Sequence, residues 1–207
     1  MTVTRLLSAL ILVTLLTITA AAQGANEIAG TIGRTFISDQ GVPATPGFVL
    51  HSGNGLTFSF NYARHILGSG TFLQLSAEVP VVFNLDEDLN YAFNVIPESY
   101  KSFFITPAGR VNLFANTAVS PWLSVGGGFG RFSTSDNLVF GGQNPGPSSK
   151  NTGVFQFGGG LDVRVWHNIG LRGEIRDFYS GVPPLNIDTR RSRQHNLYLG
   201  GGVVWHF

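Results

Sequence analysis

The chain of 207 residues contains no cysteine. That excludes disulfides, thiolate metal centres and a lipid anchor attached through a cysteine. Charge is scarce too: Asp, Glu, Lys and Arg make up 12% of the chain, about half the share of an ordinary soluble domain. Long apolar runs are also missing beyond the first two dozen residues, and a helical membrane span needs roughly 20 consecutive apolar residues. A chain poor in charge and without such runs fits neither a soluble domain nor a helical membrane protein. Strands that are apolar on one face only would fit both observations.

The one apolar run is N-terminal. Arg5 supplies a positive start, Leu6 to Ala20 an apolar core, and Ala20, Ala21 and Ala22 a small-residue cleavage site, so residues 1–22 are expected to be a secretory signal peptide and 23–207 a single domain. Removing Arg5 takes the thirteen basic residues to twelve, against twelve acidic ones. A near-neutral protein is a poor nucleic-acid ligand, because such binding draws much of its affinity from phosphate neutralisation.

What is present is glycine, aromatics and alternation. The segments WLSVGGGFGRF (122–132), FQFGGGLDVRVW (155–166) and LYLGGGVVWHF (197–207) share one pattern, with apolar and small or polar side chains alternating around a glycine triplet. Eight segments read as strands, at about 27–37, 54–65, 71–84, 102–115, 121–134, 153–165, 169–179 and 194–207. Each has the roughly 9 to 11 residues a tilted spanning strand requires. Strands can cross hydrocarbon only in a closed sheet, since no backbone N–H or C=O can be left unpaired there. The connections alternate as such a barrel demands. Long segments (38–53, 85–101, 135–152, 180–193) alternate with brief ones (66–70, 116–120, 166–168). The fold class is therefore all-β, an eight-stranded antiparallel transmembrane β-barrel with both termini at the short-turn end.

Successive strand residues point to opposite faces. Leu56, Phe58, Phe60 and Tyr62 are then lipid-facing in the second strand, Leu73, Leu75, Ala77 and Val79 in the third, and Ile105, Val111 and Leu113 in the fourth. All three tryptophans, Trp122, Trp166 and Trp205, fall near the short-turn end and are expected in one interfacial girdle. Phe36, Phe83, Phe103, Phe132 and Phe178 are expected in the other. Nearly every strand charge falls on the inner phase, Arg34 and Arg131 excepted. An eight-stranded barrel is only wide enough for its interior to be filled by side chains. Glu78, Arg110, Asp162, Arg164, Arg172, Glu174 and Arg176 are thus expected to form an interior ion-paired plug, three acids against four arginines. Asp162 sits opposite Arg172 if Trp166, His167 and Asn168 form the turn.

Sites of chemistry are hard to find. The glycine triplets are not followed by a helix, as a phosphate cradle requires, and are better read as room for the long arginines. No cofactor is implied. His51-Ser52, with His195 approaching from the last strand, is the only hint of a nucleophile and base, and no third group is specified. The histidines at 51, 65, 167, 195 and 206 are scattered, so no metal site is expected. The loop segment GGQNPGPSS (141–149) is expected to carry little order.

Through its N-terminal signal, its loop alternation and its GGGVVWHF ending, the chain from about Asn26 to Phe207 resembles the small outer-membrane β-barrel proteins of the OmpA-like and OmpX-like type. The resemblance implies a bacterial outer membrane, short turns in the periplasm and long loops outside. It implies that the last strand, through Tyr198, Val204, Trp205 and Phe207, is recognised by the outer-membrane assembly machinery. It also implies a monomer with a structural or surface-interaction role, not an enzyme. A passive small-solute channel is the alternative, and a lipid A acyl hydrolase a more distant one. Arg190, Arg191 and Arg193 in the fourth long loop are expected to meet phosphates of outer-membrane lipids and lipopolysaccharide, because their forked donors suit phosphate oxygens.

Overall fold

The computed structural model describes residues 25–68 and 71–207, and the expected signal peptide lies outside them. Among the described residues there is no helix. Eleven strands form in chain order: β1 (Asn26–Phe36), β2 (Gln40–Gly41), β3 (Val49–Ser52), β4 (Asn54–Leu67), β5 (Leu73–Asn90), β6 (Ser99–Ile105), β7 (Ala108–Leu113), β8 (Val119–Thr134), β9 (Ser149–Arg164), β10 (Ile169–Gly181) and β11 (Arg193–His206). β6 and β7 are one wall strand broken at Thr106 and Pro107, where proline offers no N–H to the ladder. With these two counted together, eight wall strands close antiparallel on one another: β1 to β4, β4 to β5, β5 to β6 and β7, these to β8, and on through β9 and β10 to β11. The seam is β11 against β1, from Glu27 opposite His206 to Phe36 opposite Leu197. The small β2–β3 hairpin extends the wall above β5 at the loop end.

Alternation sets the two faces. Ile28, Ile32, Leu56, Phe60, Leu73, Leu75, Leu123, Val125, Phe157, Leu171, Leu199 and Val203 all point outward and are exposed. So much contiguous apolar surface is incompatible with water and suits hydrocarbon. Inward, Thr57, Ser59, Asn61, Gln74, Ser76 and Glu78 are buried. Asp162 lies opposite Arg172, the register that their charges require, although the joint is four residues, Val165 to Asn168.

Some aromatic side chains depart from expectation. Trp166 and Trp205 face outward, but Trp122 points into the lumen and is 1% exposed. Phe132 and Phe178 are likewise inside. Phe178 stacks on Phe104 at 5.2 Å between ring centroids, and Phe132 meets Phe104 edge-on at 5.8 Å. Each sits on the inner phase of its strand, and phase decides the face whatever the residue's height along the wall. With Leu50, Val82, Ile96 and Tyr100 they form an apolar plug in the loop-end half of the lumen. Only the half nearer the short turns is ionic, so the interior is less uniformly polar than expected.

The 141–149 segment is ordered by asparagines, contrary to expectation. Asn144 Nδ2 donates to Ser135 O at 2.9 Å and its Oδ1 accepts from Asn186 Nδ2 at 2.7 Å. Asn94 bridges Gly141 O and Phe140 N, both at 2.9 Å. These bonds tie three long loops together.

Above the apolar belt, β5 runs on into the loop end. Asp86 and Asp88 point outward and are exposed, which marks the belt's limit, while Glu87 between them turns into the mouth and is buried. Its Oε2 accepts from Gly55 N at 3.1 Å and Asn84 Nδ2 at 2.9 Å, and its Oε1 has no partner. Burial pushes this carboxyl up to about 7, only partly opposed by those hydrogen bonds. Because the folded value lies above the ordinary one, the folded chain keeps a proton that the unfolded chain releases between pH 4.5 and 7. Stability from this group is therefore present in acid and lost as pH rises. Glu87→Gln should match wild type in thermal unfolding in detergent near pH 4 and exceed it at pH 8. A difference independent of pH would show that Glu87 is not the titrating group.

Candidate functional site

The short-turn half of the lumen holds the charged cluster. It is assembled from β1, β4, β5, β7, β9 and β10 because each places an odd or even phase inward at the same level. Arg110 on β7 donates from Nη1 to Glu27 Oε1 at 2.7 Å and from Nη2 to Glu27 Oε2 at 2.5 Å. Arg172 on β10 reaches the same carboxylate from another wall, Nη2 to Oε1 at 2.6 Å, while its Nε and Nη2 hold both oxygens of Asp162 at 2.7 and 2.6 Å. Arg176 donates to Glu78 at 2.7 Å and to Glu174 at 2.8 Å. Asn61 adds a bond to Glu78 at 2.6 Å, and Thr31 links Glu174 to Tyr198. The three guanidinium groups gather over the Trp122 ring at 5.7, 5.2 and 4.8 Å from its centroid. Its negative face adds an attraction to each. The glycines make the space: a Cβ on Gly160 would lie 2.5 Å from the indole, and one on Gly158 would lie 2.8 Å from Arg176 Cγ.

Glu78, Arg110, Asp162, Arg172, Glu174 and Arg176 thus come together, whereas Arg164 does not. Its side chain is exposed at the rim, where Nη2 reaches Ala115 O at 3.4 Å. Glu27, missing from the sequence-based set, joins two arginines and is 1% exposed. These two corrections reverse the balance. The buried cluster holds four carboxylates, Glu27, Glu78, Asp162 and Glu174, against three guanidiniums.

Histidines are less scattered than their sequence positions suggest. His65 on β4 and His206 on β11 flank β1, and with Glu27 they present ligand atoms within 4.8 Å of one another. His51 instead bonds Asp39 at 2.7 Å in the exposed first loop, and His195 bonds Asp177 at 2.5 Å on the outer wall. Ser52 gains no base from either contact. In the fourth loop Arg190 and Arg191 are exposed. Arg193 lies against the wall, its Nη1 donating to Gly153 O at 3.2 Å and its guanidinium 6.0 Å from the Tyr179 ring centroid. In the last strand Tyr198 and Val204 point inward and are fully buried, while Trp205 faces outward and stacks on Phe207 at 4.8 Å.

The outer wall also carries a shallow groove of about 150 Å³ near the loop end. It is lined by Phe83, Leu85, Phe103, Lys101 and Arg131 among others. Two cations thus stand beside an aromatic floor that continues into the apolar belt.

Replacing Glu27 by Gln removes the shared counter-charge of Arg110 and Arg172. Arg172 keeps Asp162, and Arg110 keeps Glu78 at 3.5 Å, so the loss is that of the charge-assisted hydrogen bonds to Glu27, about 1.5–3 kcal/mol each. Asp39→Asn, which breaks an exposed pair, should cost under about 1 kcal/mol. Urea unfolding of the folded barrel in detergent measures both, and equal small losses would show that the cluster adds little.

No protein-family model matches the chain, and no curated protein matches it. Among solved structures, Neisserial surface protein A aligns over 88% of this chain and 97% of its own, with a TM-score of 0.52 and 14% identity. OprG, an outer-membrane protein of Pseudomonas aeruginosa, aligns over 90% and 98% with a TM-score of 0.48 and 10% identity. Ail, the attachment invasion locus protein of Yersinia pestis, aligns over 87% and 99% with a TM-score of 0.45 and 15% identity. At such identity the first of these speaks to fold alone, and it agrees with the closed ring, the apolar outer face and the loop alternation: this chain has the fold of the small outer-membrane β-barrel proteins.

Proposed function

We propose that this protein is a monomeric, non-conducting barrel of a bacterial outer membrane, exported by its N-terminal signal, whose loop-end wall holds phosphorylated lipid such as lipopolysaccharide. The observation that carries the reading is the groove of Lys101 and Arg131 beside Phe83, Leu85 and Phe103. An anionic head group would meet the two cations while its acyl chain followed the phenylalanines down the belt. Charge-assisted hydrogen bonds from such donors to phosphate are short and strong. Arg34 and Arg193, outward near the loop ends of β1 and β11, place further cations at the loop end on the opposite side of the ring. Arg190 and Arg191 add reach from the loop above.

Support for a closed lumen comes from its two fillings, the ionic cluster below and the aromatic plug above. Both leave a passive channel the weaker reading. The terminal strand keeps the role its resemblance implies, recognition by the assembly machinery before the barrel closes.

Lipopolysaccharide retained per folded chain after purification from outer membranes tests the proposal. K101Q/R131Q should lose about tenfold, the equivalent of one charged hydrogen bond. R190Q/R191Q/R193Q should lose less, because Arg193 is already held by Gly153 and Tyr179. Unchanged lipid in both variants would reduce these side chains to solvated surface.

A further inference from the structure

We infer that Glu27, His65 and His206 form a binding site for a borderline divalent transition-metal ion, of which zinc is the test case, at the short-turn mouth of the barrel. The site stands apart from the lipid-binding wall and does not depend on it. Its geometry comes from the seam. β1 lies between β4 and β11, with His206 directly opposite Glu27 and His65 N donating to Ala25 O two residues earlier. Opposed residues share a face, so Glu27, His65 and His206 all point into the lumen.

Three observations favour a cation there. First, the donors are suitable: two imidazoles and a carboxylate are the ligand types of zinc, nickel and copper sites. They lie within 4.8 Å of one another, against about 3.3 Å between two donors of a tetrahedral zinc, so rotation of the half-buried imidazoles through about an ångström would close the shell. The rings already lie nearly parallel, 6.3 Å between centroids. Second, His65 Nδ1 is engaged by Ser76 Oγ at 2.9 Å. That bond orients the ring and leaves Nε2 for a ligand, the arrangement usual for a metal-bound histidine. Third, the buried cluster behind the site carries one negative charge more than its arginines supply. Glu27 is its member nearest the histidines, with Oε2 3.9 Å from His206 Nδ1.

Arg110 and Arg172 face the same carboxylate, and Arg164 stands at the rim. They set the balance between the ligands. The imidazoles supply the coordinate bonds, Glu27 contributes one oxygen, and water completes the shell from the open mouth. An ion so placed would join β4 to β11 across β1, the first wall strand, and so clasp the seam at which the ring closes.

The test uses the folded, untagged full-length barrel in detergent, with zinc binding followed by titration calorimetry and bound metal counted after dialysis. One zinc per chain is expected. His65→Ala and His206→Ala should each weaken it at least tenfold, Ser76→Ala about tenfold, and His167→Ala not at all. Each variant is scored only after its heat-dependent gel mobility shows a closed barrel. X-ray absorption at the zinc edge of the wild type gives a reading that needs no variant, with scattering from two imidazoles expected. Absence of saturable zinc, undiminished binding in the H65A/H206A double variant, or an edge spectrum without imidazole would overturn the site.

Discussion

Glu27 is the anion on which the lower lumen depends. Three arginines are shut inside a ring of eight wall strands, and a guanidinium held away from water persists only where carboxylates and acceptors meet it. Glu27 reaches Arg110 on β7 and Arg172 on β10, strands that do not adjoin β1. The first wall strand is thereby tied across the lumen, in addition to its ladders with β4 and β11. Trp122 and the glycines at 158 and 160 then follow as consequences. The indole gives the cations a polarisable floor, and the missing side chains give it room.

The same closure joins interior to exterior. In hydrocarbon the ring must leave no unpaired edge, and period-two alternation then sends the apolar half of each strand to lipid and the polar half inward. Where the belt ends, the outward phase becomes cationic at Arg34, Lys101, Arg131 and Arg193 and then acidic at Asp86 and Asp88. The binding surface proposed for lipid is thus the belt's upper edge, and the metal site is the lower edge of the lumen. Each stands where alternation runs out into water.

Much of this was legible in the sequence. Strand number, loop alternation and the inward phase of Glu78, Arg110, Asp162, Arg172, Glu174 and Arg176 follow from side-chain periodicity, and the Asp162–Arg172 register follows from charge. Height along the wall alone would put Trp122, Phe132 and Phe178 in the girdles, as aromatics near strand ends, whereas all three are inside. The phase of Trp122 and Phe132 relative to Leu123, Val125 and the outward Arg131, and of Phe178 relative to the inward Glu174 and Arg176, carries the correct answer. Glu27 stands at the very start of β1, where few neighbours define an alternation. His65 and His206 could not be paired from sequence, since they meet only when the first and last strands close. The order of the 141–149 loop rests on Asn94, Asn144 and Asn186 from three different loops, a contact that no local pattern encodes.

Electrical recording from the purified wild-type barrel in a planar lipid bilayer shows whether the ionic cluster and the aromatic plug together fill the lumen. A filled lumen leaves the membrane silent after insertion is verified by protease protection of the barrel. Stable, stepwise conductance from the wild type would contradict it, because ions would then be passing through a space that Arg110, Arg172, Arg176, Phe104, Phe132 and Phe178 are held to occupy.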